Sequence, residues 1–170
     1  MQACGKEAAV SSSGRSEGQG AAAQQASDVR LADVLGFQLA RAAVHTTAVF
    51  FQAAGEPLDL RPVEYTALAL IQESPGLTPA RLAEALSVSA PNITVLLARL
   101  EKRGFVLRHA HATDRRAQVL TLTESGAQLA VDATKRITEA ERAAFASLSR
   151  GELFMLNELL CKLATTHLGS

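Results

Sequence analysis

From Leu31 onward the chain carries two hydrophobic periods, and the change from one to the other organises the reading. Leu35, Leu39, Ala42, Ala43, Thr46, Val49 and Phe50 recur near helical spacing, which predicts a long helix over 31–54 that Gly55 ends. Glu56 to Arg61 reads as a loop. Pro62 suits a first helical turn, where its missing N–H would be unpaired anyway. A second helix follows through Val63, Ala67, Leu68 and Ile71 to about Glu73, and Ser74-Pro75-Gly76 breaks it. Thr78 before Pro79 is an N-cap with proline at the first helical position, opening a short helix that turns Leu82, Ala83 and Leu86 inward. Ser87-Val88-Ser89 is a tight turn. Ser89 can cap the next helix, which carries Ile93, Leu96, Leu97 and Leu100 on one side and ends in Lys102-Arg103-Gly104.

Beyond Gly104 the period becomes strict alternation. Phe105 to His109 and Gln118 to Leu122 read as strands, and the polar stretch Ala110 to Ala117 reads as the tip of a hairpin. Thr123 caps a further helix through Leu129, Val131 and Ile137 to about Ala146. Ser149 and Glu152 form a capping box that opens a last helix, with Leu153, Leu156, Leu159, Leu160 and Leu163 expected inward. The fold class is therefore mainly α with a small β-hairpin wing: a winged helix-turn-helix between long N- and C-terminal helices. Residues 1–27 are Ser, Gly, Gln and Ala with few large apolar groups, so a disordered tail is expected there. Residues 28–170 read as one domain, with the winged lobe over about 62–123 and terminal helices over about 31–54 and 124–168.

Composition narrows the class. Aromatic residues make up 4 % of the chain while Ala and Leu abound, which favours helices over sheet. No apolar run approaches the ~20 residues of a bilayer span, and no apolar stretch follows Lys6 as a secretion signal requires. Cys4 and Cys161 make neither a disulfide framework nor a metal pattern, Cys161 is expected to pack within the last helix, and a reducing cytoplasm is the simplest compartment. Net charge is zero, but Leu77 to Thr123 holds seven basic residues against three acidic ones. A basic patch on a neutral chain is the footprint of phosphate contact. A solvated face would give the same count. Glycine-rich phosphate loops, nucleophile elbows and HExxH are absent, so no catalytic residue, cofactor or metal site is expected. His109 and His111 share a strand face, and two histidines alone do not make a metal site.

The order Leu77-Thr78-Pro79-Ala80-Arg81-Leu82-Ala83-Glu84-Ala85-Leu86, then Ser87 to Thr94, then Leu100 to Val106, is characteristic. With Asp114-Arg115-Arg116 and Leu120-Thr121-Leu122-Thr123-Glu124-Ser125-Gly126 behind it, the chain resembles the MarR family of bacterial transcription regulators from about Leu31 to Leu168. The resemblance implies a homodimer joined through its first and last two helices, reading an inverted repeat of double-stranded DNA, with repression the family default. It implies base reading at the start of the helix from Ala90 to Arg103. Ser89, Ala90, Pro91, Asn92 and Thr94 stand there, and Asn92 can bond adenine at two points. Ser89 and Asn92 could instead only cap that helix. Ser87 suits a phosphate, and Arg99, Lys102 and Arg103 suit phosphates or a solvated face. Asp114 would orient Arg116, with Arg115 beside it, into a minor groove.

In such proteins a small, often aromatic and anionic, effector releases the DNA. Arg41, His45, Thr46 and Tyr65 could together hold a carboxylate and a ring hydroxyl, although His45 and Tyr65 could equally just pack. Oxidant-sensing relatives carry a Cys near the start of the first helix, where this chain reads Val34-Leu35-Gly36-Phe37. A winged helix used only for protein contact is the other alternative, and Arg115 and Arg116 argue against it.

Overall fold

The computed structural model describes Leu31, residues 33–110 and residues 118–165. The tail expected over residues 1–27, and the hairpin tip with His111, Asp114, Arg115 and Arg116, lie outside the described residues. Helix α1 spans Leu35–Phe50 and runs into one π-helical turn, Phe51–Gly55. Then come α2 (Pro62–Glu73), α3 (Pro79–Ala85), α4 (Ala90–Lys102), β1 (Val106–Ala110), β2 (Gln118–Leu122), α5 (Glu124–Ala144) and α6 (Arg150–Thr165). This is the order and fold class that the hydrophobic periods predict. The chain divides between Val44 and His45 into two compact units, described separately below.

In the larger unit one core gathers Phe50, Leu60, Leu68, Ile71, Leu82, Ile93, Leu97, Leu100, Val106, Leu120, Ala133 and Ile137. Five of these, Leu68, Leu82, Leu97, Leu100 and Leu120, are large aliphatic side chains with essentially no exposure. Each contributes about 1.5–3 kcal/mol of transfer free energy. The two strands pair antiparallel, with Val106 opposite Leu122 and Ala110 opposite Gln118. Their inward residues Val106 and Leu120 are buried while Leu107 and Thr121 face out. The hairpin is stitched to the segment before α3, where the Leu120 N–H donates to Leu77 O at 2.9 Å.

The join between hairpin and α5 explains the Thr123-Glu124-Ser125-Gly126 sequence. Thr123 is the N-cap of α5, its Oγ1 accepting from the Gly126 N–H at 3.0 Å and donating to Gly104 O at 2.7 Å. The Thr123 N–H donates to Phe105 O at 3.0 Å. A Cβ on Gly126 would lie 2.1 Å from Phe105 O, so only glycine lets the first turn of α5 sit on that backbone.

Three expectations need correction. Gly55 is not a left-handed helix stop: it is buried inside the π-turn, and a Cβ there would lie 2.7 Å from Phe51 Cδ1. Close approach of a phenyl ring, rather than a positive φ, selects the glycine. Val131 is 48 % exposed because Ala130, Ala133 and Ile137 form the inner side of α5. Cys161 is exposed rather than packed. The last correction concerns the whole of α6. Leu156, Leu159, Leu160 and Leu163 are all exposed, with Phe154 at 71 %. The apolar stripe is present, but within one chain little lies over it. In the smaller unit Leu31, Val34, Leu35, Leu39 and Val44 are likewise exposed. Among the described residues no helix is long and apolar enough to cross a membrane.

Candidate nucleic-acid interface

Helices α3 and α4 meet through a turn in which Ser87 adopts φ +52°, a left-handed conformation unusual for a residue with a side chain. Its N–H donates to Glu84 O at 3.0 Å. Thr78 caps α3 as expected, accepting from the Arg81 N–H at 3.3 Å. Helix α4 is anchored by buried Ile93, Leu97 and Leu100. Its other side is open: Ser89, Ala90, Pro91, Asn92 and Thr94 are all exposed, and so is Ser87 in the preceding turn. The six short residues expected to meet DNA are thus all exposed, with half-buried Val88 and buried Ile93 between them.

Ser89 occupies the N-cap position but makes no side-chain cap hydrogen bond. Capping therefore does not occupy its hydroxyl. Thr94 Oγ1 donates to Ala90 O at 2.9 Å, which leaves its oxygen as an acceptor. Val95 was not singled out by the sequence, yet it is 70 % exposed on the same side, where an isopropyl group can meet a thymine methyl. The signal was its position: it falls off the stripe of Ile93, Leu97 and Leu100.

The cations divide into two sets. Arg81 and Lys102 are exposed and, among the described residues, form no ion pair. Arg99 and Arg103 turn back to the buried carboxylate of Glu64 in the first turn of α2. Arg99 Nε lies 2.7 Å from Glu64 Oε1, and Arg103 Nη1 lies 3.7 Å from Oε2. The Arg99 approach is an ion-pair contact without hydrogen-bond alignment, since Oε1 has no bond of its own. Arg108 is paired with Glu101, Nη2 to Oε2 at 2.9 Å. His109 Nε2 meets Thr121 Oγ1 at 2.8 Å. Asp114, Arg115 and Arg116 lie outside the described residues.

The four effector candidates fall in the two units, Arg41 in the smaller and His45, Thr46 and Tyr65 in the larger. Arg41, in the smaller unit, has its guanidinium 5.7 Å from the centre of the Phe37 ring. His45 is exposed. Tyr65 packs on Phe50 with ring centres 5.9 Å apart and shares a 3.1 Å hydrogen bond with Thr134 Oγ1. Thr46 lines a cavity of about 360 Å³ with Thr138, Glu141, Arg142, Phe145 and Asn157. Thr138 lies one turn beyond Thr134, so α5 presents both hydroxyls on one side. Partial burial pushes the Glu141 carboxyl above its ordinary pKa. Glu141, Arg142 and Asn157 were not anticipated, because only the tertiary placement of α6 against α5 brings them together.

A basic helix-turn-helix followed by a two-stranded wing defines the class of winged-helix DNA-binding proteins. The MarR family model matches residues 60–117. A helix-turn-helix transcriptional repressor of Mycobacterium tuberculosis is 33 % identical over 113 residues, which cover 66 % of this chain and 81 % of the relative. A regulatory protein for the hcr operon of Thauera aromatica is 29 % identical over 133 residues, 78 % of this chain and 80 % of the relative. The repressor CouR aligns in two solved structures. Bound to a 23-mer DNA duplex, it gives a TM-score of 0.71 at 28 % identity over 79 % of this chain and 94 % of its own. From Rhodococcus jostii RHA1 with p-coumaroyl-CoA, the TM-score is 0.71 at 27 % identity over 82 % and 98 %. The chain belongs to the MarR family and is a DNA-binding transcription regulator. The relatives named here are regulators, not enzymes.

Proposed function

We propose that the protein is a homodimeric repressor that leaves an inverted-repeat operator when a small aromatic acid, or a thioester of one, binds. The observation that carries the DNA reading is the joint exposure of Ser87, Ser89, Ala90, Pro91, Asn92 and Thr94 at the start of a helix whose opposite side is locked in the core. Asn92 reads a base edge, Ser89 and Thr94 supply hydroxyls, Ala90 and Pro91 admit close approach, and Ser87 bonds a phosphate. Arg116, oriented by Asp114 and flanked by Arg115, enters the minor groove. Lys102 and Arg81 are the phosphate partners that the ion pairs leave open.

Dimerisation is supported by the exposed apolar residues of α6 and, separately, those of the segment before His45, since monomeric surfaces seldom expose such continuous stripes. A two-fold dimer requires half-site centres about 10 base pairs apart. The effector reading is supported by the Thr46 cavity, where Arg142 offers a cation and Thr138 and Asn157 offer hydrogen bonds beside Phe145. Its neighbour CouR, solved with an aromatic acyl thioester, points to the same chemistry. A ligand acts here only by favouring a dimer geometry that misfits the groove repeat.

Footprinting on a duplex selected from a random pool tests the reading, and the protected site is expected to be an inverted repeat. Arg116→Ala is expected to weaken that binding at least tenfold, about 1.4 kcal/mol, with dimer and helix content kept. Unchanged affinity at matched salt removes Arg116 from the interface. Aromatic acids and their coenzyme A thioesters that raise the melting temperature should also release the duplex.

A further inference from the structure

We propose that Glu64 is a positioning residue for DNA recognition: by its buried charge it fixes the rotation of α4, and with it the direction in which Asn92 and Val95 point. This rests on the reading of α4 as the DNA-contacting helix. Glu64 is the one charged residue of the described core, with no exposed surface. Such a carboxylate is costly to bury without partners. One partner is local, since Glu64 Oε2 accepts from the Arg61 N–H at 2.9 Å at the start of α2. The cationic partners are Arg99 in the last turn of α4 and Arg103 at its C-cap, one turn apart.

Arg103 makes the second half of the tether. Its Nη1 donates to Asp59 O at 2.6 Å and its Nη2 to Leu58 O at 3.4 Å. Its guanidinium also sits over the Phe105 ring, 5.0 Å from the centre. Asp59 holds φ +48°, a left-handed conformation that costs a residue with a side chain some strain. The loop before α2 therefore keeps an unfavourable backbone shape where its carbonyls meet Arg103. Apolar contacts alone, through Ile93, Leu97 and Leu100, would hold α4 in place but are non-directional. The fork-shaped bonds of Arg103 to Asp59 O and Leu58 O are directional, the Glu64 charge draws both guanidiniums to one point, and all of these contacts sit at the end of α4 opposite the base-reading residues. Two arginines that charge counting assigns to the DNA backbone instead aim the helix.

The test uses the full-length chain, the duplex it selects from a random pool, and poly(dI-dC) as non-specific DNA. Glu64→Gln keeps an acceptor for the Arg61 N–H but removes the charge, freeing Arg99 and leaving Arg103 only its contacts with Leu58, Asp59 and the Phe105 ring. Affinity for the selected duplex is expected to fall at least tenfold while affinity for poly(dI-dC) holds or rises, with a steeper salt dependence from the released cation. Arg99→Lys keeps the charge and loses the geometry. A phosphate ligand would tolerate that change, whereas a positioning pair should lose at least fivefold in the ratio of selected to non-specific affinity. Circular dichroism and sedimentation verify fold and assembly.

An unchanged ratio in either folded variant, or equal losses on both DNAs, overturns the proposal. So does failure of both variants to fold, because the pair would then be a condition of folding rather than a setting of the helix. Wild-type protein that selects no duplex would refute the DNA reading itself, a failure visible before any variant is made.

Discussion

Helices α4 and α6 are of similar length, thirteen and sixteen residues, and each carries a clear apolar stripe. Their fates are opposite. In α4 the stripe is buried and the open side holds Ala90, Pro91, Asn92, Thr94 and Val95, with Ser89 at the N-cap. In α6 the stripe itself is open, from Phe154 to Leu163. An exposed side of short hydrogen-bonding groups matches the edges of base pairs. An exposed aliphatic side matches only another apolar surface. On the proposed reading these two sides suit two partners by two chemistries on different helices.

The largest effect should come from neither helix but from the joint that holds the lobe to α5. Gly126→Ala forces a methyl to within 2.1 Å of Phe105 O, a backbone atom that cannot swing aside. A loss of about 3 kcal/mol is expected in chemical denaturation, at the upper end of overpacking costs. A loss below about 1 kcal/mol would mean that α5 slides to accommodate the methyl, and that the lobe is not rigidly referenced to it.

Next in size is the open side of α6. Phe154→Asp with Leu159→Asp is expected to raise the dimer dissociation constant at least a hundredfold, about 2.8 kcal/mol, by placing charge against an apolar partner. Sedimentation at a series of concentrations measures it. The corresponding change on α4, Asn92→Ala, should leave assembly and melting temperature alone and cost about tenfold in operator affinity, within the usual worth of a two-point base contact. If α6 tolerated the aspartates, its exposed stripe would have to meet something other than a second copy.

Legibility followed the range of the interactions. The caps at Thr78, Thr123 and Ser149, the glycine at φ +74° after α4 and the register of alternation in the hairpin are local, and the sequence states them directly. The apolar stripe of α6 was equally legible, but periodicity says that a face seeks cover and not whose surface provides it. The pairing of Glu64 with Arg99 and Arg103 was hidden, because it joins segments that only the packed core brings together. Charge counting does not show which of the cations are already paired within the chain. Gly126 was visible as a motif, while its reason, the approach of Phe105 O, belongs to the tertiary structure.

The finest form of the comparison is a single residue type at a single position. Serine stands at the N-cap of α4 and before the first turn of α6. Ser149 is fully engaged: its N–H and Oγ donate to Glu152 Oε2 at 2.8 and 2.7 Å, and its Oγ accepts from the Glu152 N–H at 3.3 Å. Ser89 makes no such bond. The Ser149 side chain and then its backbone N–H hold the Glu152 carboxyl below its ordinary pKa. A carboxylate lowered in the folded state stabilises the protein above its unfolded pKa, and that contribution is lost as pH falls through the folded value. Glu152→Gln retains an acceptor but cannot titrate. Its melting temperature should therefore lie slightly below wild type near neutrality and converge with it under acid. The gap must be small, because the group is fully exposed to solvent. Ser149→Ala should cost about 1 kcal/mol, the usual worth of a helix cap, whereas Ser89→Ala should cost markedly less in stability and show its effect on DNA instead. Equal stability losses at the two serines would mean that Ser89 is a cap after all, and the contrast between a helix finished for folding and one left open for recognition would fail at its most exposed point.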